Sequence, residues 1–106
     1  MKSKGWYAWL DLMPPKPDVL HVIGEVLAGN PGIQAELTAR QPQGINPAIL
    51  QLNLHLVQRP GMWPQVLTWV AARYDKVLPP RSAKPKQVEI FLDGKSITRI
   101  KVEEVH

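Results

Sequence analysis

The sequence predicts an all-β fold, a small antiparallel β-sandwich of immunoglobulin-like appearance with about seven strands. Three observations carry that prediction. Between residues 48 and 58, Leu50, Leu52, Leu54 and Leu56 occupy every second position, with Gln51, Asn53 and His55 in the gaps. A strand gathers such leucines on one face, whereas a helix scatters them around its circumference. Near the C-terminus, Val88, Ile90 and Leu92 alternate up to Asp93-Gly94, a pair suited to the left-handed conformers of a tight hairpin. Finally, 11 prolines in 106 residues, about twice average usage, cut the chain into short segments and disfavour long helices.

Residues 5–13 hold Trp6, Tyr7, Trp9, Leu10 and Leu12, a β-prone segment closed by Pro14-Pro15-Lys16-Pro17 and expected at a sheet edge. The expected role of its rings is to cover the core rather than to form a recognition surface. Residues 18–28 fit two templates. Val19, Leu20, Val22, Ile23, Val26 and Leu27 follow a helical spacing behind Asp18, but Gly24 and the density of β-branched residues favour a strand. The turn Gly29-Asn30-Pro31-Gly32 leads into 33–39, where Ile33, Ala35, Leu37 and Ala39 alternate with polar residues in a half-exposed strand. A polar, turn-rich connection over 40–47 precedes the leucine strand.

After Arg59-Pro60-Gly61-Met62-Trp63-Pro64, residues 65–75 show apolar positions on both parities and are read as a further strand. Pro64 at a helix start is the competing signal. An α+β fold with helices near 18–28 and 64–75 is therefore the alternative architecture. Residues 76–86 form a basic connector, with four cations and no acid, expected to be the most mobile part of the chain. The final hairpin needs a bulge near Thr98-Arg99 for Ile97, Ile100 and Val102 all to face inward.

The length fits one domain over 1–106, large enough to hold a core without crosslinks. Cysteine is absent, which excludes disulfides and thiolate metal sites. The apolar run behind the basic start is too short for a secretory signal, and no stretch approaches a membrane span, so a cytoplasmic protein is expected. The net charge of +4 is unevenly placed: residues 1–40 carry four basic and four acidic side chains, residues 71–106 eight and five.

No motif points to catalysis. Ser3, Ser82 and Ser96 lack a nucleophile-elbow context, and the glycines are dispersed rather than gathered in a phosphate-cradling loop. His21 and His55 would become neighbours only if their strands paired, and no HxH or HExxH spacing supports metal ligation. The expectation is a non-enzymatic protein with no catalytic residue, metal or cofactor. Its expected role is to bind a protein partner or a second copy through the 59–64 loop or a sheet edge, with Arg59, Met62 and Trp63 as contact residues. They combine aromatic area, a forked donor and a proline-stiffened turn. Two alternatives stand beside it: a nucleic-acid-binding β domain using Lys76, Arg81, Lys84 and Lys86, and a carrier of a small apolar ligand.

Overall fold

The computed structural model describes residues 2–106, and every described regular element is a strand. In chain order they are β1 (Ser3–Asp11), β2 (Val19–Ala28), β3 (Ile33–Ala39), β4 (Ile49–Gln58), β5 (Thr68–Val77), β6 (Gln87–Leu92) and β7 (Lys95–Val105). The strands form one sheet in the order β3-β4-β6-β7-β1-β2-β5, which is mixed rather than antiparallel as the sequence predicts, because β4 pairs with β6 and β1 with β7 in parallel. The two end strands, β3 and β5, lie side by side without a backbone ladder between them, so the sheet is nearly closed into a barrel. Among the described residues no helix is long and apolar enough to cross a membrane.

The all-β class holds at both ambiguous segments. β2 buries Leu20, Val22, Val26 and Ala28 on one face. Its backbone is paired on one side with β1 and on the other with β5. A helix would have forfeited both ladders. β5 starts at Thr68, three residues later than the sequence implies, which leaves 65–67 as part of a long exposed connection.

β1 is not an edge strand. Its C-terminal half pairs in parallel with the end of β7, Ala8 against Val102 through Asp11 against Val105, while its other side pairs with β2. β7 is long enough to divide its partners. Residues up to Lys101 pair with β6 and those from Val102 onward with β1, so one strand joins two leaves. The register of β1 against β2 shifts between Lys4 and Tyr7, where Gly5 takes a left-handed φ of 66°. That shift lets Trp6 turn inward over Gly24, where a Cβ would come within 2.2 Å of the indole. Ala8 and Leu10 follow it into the core.

The leucine strand behaves as its alternation dictates along most of its length. Leu50, Leu52 and Leu54 are buried and meet Val88, Ile90 and Leu37 in one core, but Leu56 is 36% exposed. β6 runs beside β4 only as far as Asn53, so the last residues of the strand are paired on one side only, with β3. The polar face of β4 serves the chain itself. Gln51 and Gln43 clip the 40–47 connection down: Gln51 N–H donates to Gln43 Oε1 at 2.8 Å, and Gly44 N–H to Gln51 Oε1 at 3.0 Å. His55 pairs with Thr38 Oγ1 across the β3–β4 ladder.

At the C-terminal hairpin, Asp93 and Gly94 have φ values of 51° and 79°, the paired left-handed conformers of a type I′ turn. The expected bulge is present one residue earlier than the sequence places it. Ile90 opposes Thr98 and Phe91 opposes Ser96, which makes Ile97 the extra residue. Ile97, Ile100 and Val102 consequently all pack on the core.

Candidate functional site

The connection from β4 to β5 is long, exposed and held in place by its own side chains. Arg59 N–H donates to Gly32 O at 2.8 Å, extending the β3–β4 ladder by one step. The Arg59 guanidinium donates to Pro31 O at 3.1 Å and lies 4.9 Å from the Trp63 ring. Trp63 Nε1–H donates back to Arg59 O at 3.0 Å, and its indole rests on Gly32, where a Cβ would sit 2.3 Å from the ring. The turn beneath is fixed by Asn30, whose side chain accepts from Gly32 N–H at 2.9 Å and donates to Gln58 at 2.8 Å.

Arg59 and Trp63 are therefore brought together, but as a staple joining two turns. Trp63 is half-buried as a lid, and the forked donor of Arg59 is engaged by backbone carbonyls. Of the three residues expected to make contacts, Met62 alone projects freely, at 101% exposure. The sequence reading missed its companions. Val66 and Leu67 are 57% and 71% exposed, followed by Trp69, whose ring lies 4.2 Å from Lys4 Nζ. The available signal was Pro64: a residue without N–H in front of two adjacent large apolar side chains delays the onset of pairing. Val57 adds a further exposed apolar side chain at the end of β4.

The four C-terminal cations lie around the opposite end of β5. Arg81 and Lys84 line a cleft of about 670 Å³ together with Lys16 and Asp18. Lys76 lines an adjoining cleft on the other side of Leu78 and Pro79, and Lys86 a third beside Lys84. Asp18 is buried and bonded to Lys16 at 2.7 Å, with Lys84 at 3.7 Å. The Lys16 hydrogen bond, opposed by burial and aided by Lys84, holds its carboxyl below the usual aspartate range.

A second covered carboxylate, Glu89, accepts from Ser96 Oγ at 2.7 Å and faces Arg99 and Gln51 at 3.4 Å. The Ser96 bond, against burial, together with the Arg99 charge, lowers its pKa. This network ties β6 to β4 and β7 and engages both oxygens of the carboxylate.

The two strand histidines are not neighbours, because β2 pairs with β1 and β5 while β4 pairs with β3 and β6. His21 stacks on Trp9, with ring centroids 4.9 Å apart, and meets Asp75, whose other oxygen accepts from Arg73 at 2.9 Å. Trp9 in turn stacks on Tyr7 at 5.4 Å. Thus of the three rings in the N-terminal segment only Trp6 packs on the core as expected, while Tyr7 and Trp9 lie on the outer face. Among the described residues no group of three or more His, Cys, Asp or Glu side chains is placed to hold a metal. No protein-family model matches this chain, and no curated protein or solved structure matches it either.

Proposed function

We propose that this domain is a non-enzymatic interaction module that binds a protein partner through the exposed connection over 59–67. The observation that carries the reading is a loop whose backbone is pinned by Arg59, Trp63 and Gly32 while Met62, Val66 and Leu67 are left in solvent. Holding the loop in one shape before binding lowers the ordering cost of association, and apolar side chains on it supply area to bury. The loop is favoured over a sheet edge because the two end strands face each other. The finer description of the fold as an immunoglobulin-like sandwich belongs to the same proposal and draws on the two leaves joined along β7. A reducing, cytoplasmic setting fits a chain without cysteine.

Affinity capture from the native organism, with the wild-type chain beside Met62→Asp and Leu67→Asp, tests it. Both positions are exposed, so far-UV circular dichroism of the variants is expected to match wild type. One partner is expected to be recovered by the wild type and by a distant surface variant, Lys95→Asp, and lost by the two loop variants. A set of captured proteins unchanged by either loop substitution overturns the reading.

A further inference from the structure

We infer that the cleft between the 16–18 segment and the 78–84 connector binds a small organic anion with a flat apolar body, of the aromatic carboxylate class. The site is independent of the 59–67 loop. β5 separates them, and 10 residues of strand span about 30 Å in a molecule whose longest dimension is 47 Å. The mouth of a barrel is a common place for such a site, and about 670 Å³ lies within the range that holds ligands of this size.

Its walls and its charges point to one chemistry. Pro17, Leu78, Pro79 and Pro80 present apolar surface, and Lys16, Arg81 and Lys84 set three cations against the single carboxylate of Asp18. Lys16 and Lys84 are both drawn to Asp18, whereas Arg81 makes no ion pair among the described residues. A guanidinium offers two parallel N–H donors to a carboxylate, a geometry that an ammonium group lacks.

Arg81 is also held in an unusual conformation. Ser82 N–H donates to Pro79 O at 3.2 Å, closing a turn in which Arg81 has a φ of 65°. That is the third position of a type II turn, where Gly or Asn is ordinarily found. The turn thus carries a long cationic side chain where glycine would be less strained, and that side chain lines the cleft. The floor carboxylate separates this reading from a nucleic-acid surface. Asp18 opposes a continuous run of phosphates, and Glu103 and Glu104 border the neighbouring cleft beyond Lys84.

Titration of the 15N-labelled protein with 2-naphthoate and with neutral 2-naphthamide tests the inference. 2-Naphthoate is expected to move the amide signals of Leu78, Arg81, Ser82 and Lys84 saturably, with 2-naphthamide at least about tenfold weaker, the loss expected for one charge-assisted hydrogen bond. Arg81→Gly is expected to weaken 2-naphthoate by about tenfold or more while keeping or raising the unfolding temperature, because glycine relieves the turn. Asp18→Asn is expected to tighten binding several-fold. Equal affinity for acid and amide, shifts mapping elsewhere, or no shift at millimolar acid overturns the inference. So does oligothymidylate moving these amides where 2-naphthoate does not, which assigns the cations to a phosphate backbone.

Discussion

Gly32→Ala tests whether the 59–67 loop is held by packing between Trp63 and the β2–β3 turn. The backbone at Gly32 does not have positive φ, so alanine is conformationally acceptable and the methyl group itself is the perturbation. That methyl would lie 2.3 Å from Trp63 Cε2 and 2.4 Å from Nε1, well inside contact distance. Either the indole lifts, losing its 3.0 Å bond to Arg59 O and its place beside the guanidinium, or the turn fixed by Asn30 distorts. Overpacking of this kind costs about 1–3 kcal/mol. Trp63→Ala removes a half-buried ring and its hydrogen bond, for about 2–3 kcal/mol, below the cost of a fully buried tryptophan.

The decisive quantity is the coupling between the two sites. With Trp63 already replaced, the methyl introduced by Gly32→Ala has free space, and its cost is expected to fall below about 0.5 kcal/mol. The double-mutant cycle should therefore return about 1–2 kcal/mol of interaction. Urea unfolding followed by far-UV circular dichroism measures all four corners without confusion among the four tryptophans. A Gly32→Ala cost that is the same with and without Trp63 would refute the packing argument, and with it the account of why the loop is ordered.

Two further outcomes follow from the core and from the cleft. Leu52→Ala, at a fully buried position, is expected to cost about 2–5 kcal/mol, whereas Leu56→Ala, at the uncovered end of the same alternation, should cost under about 1 kcal/mol. Similar urea midpoints for the two variants would contradict the register of β4. Asp18 carries a pKa below the ordinary value of about 3.9, first through Lys16 and then Lys84, so its charged form favours the folded state. That contribution is fully present above the unfolded-state pKa and is lost as pH falls through the folded-state pKa. Asp18→Asn should accordingly lower the unfolding temperature at neutral pH, and the gap from wild type should narrow as pH falls through the folded-state pKa; a gap that stays constant on acidification assigns the effect to shape rather than charge.

The leucine alternation, the Asp93-Gly94 turn and the inward bulge of β7 were legible because each depends on local spacing. Period-two burial and left-handed turn residues act within a few positions of themselves. The strand at residues 18–28 was legible only against a competing helix, since its apolar residues satisfy both periods and the choice rests on ladders formed with distant strands. The candidate loop was half-legible. The residue types at Arg59, Met62 and Trp63 marked an ordered apolar loop, but nothing local says that Trp63 has Gly32, on a different turn, to lie on. The basic connector was visible as charge, while its cleft appears only when residues 16–18 are brought against it.

By itself the sequence determined an all-β chain, a leucine-lined core strand, a tight final hairpin and a basic C-terminal third. These follow from side-chain periodicity and backbone preference, which the chain expresses wherever it is placed. The tertiary structure alone decided that β1 is central, that β7 joins two leaves into one curled sheet, and that Arg59 and Trp63 fasten a loop whose exposed tip is Met62, Val66 and Leu67. Each of those depends on contacts between residues remote in sequence, such as Ala8 with Val102, whose pairing leaves no periodic trace in either segment.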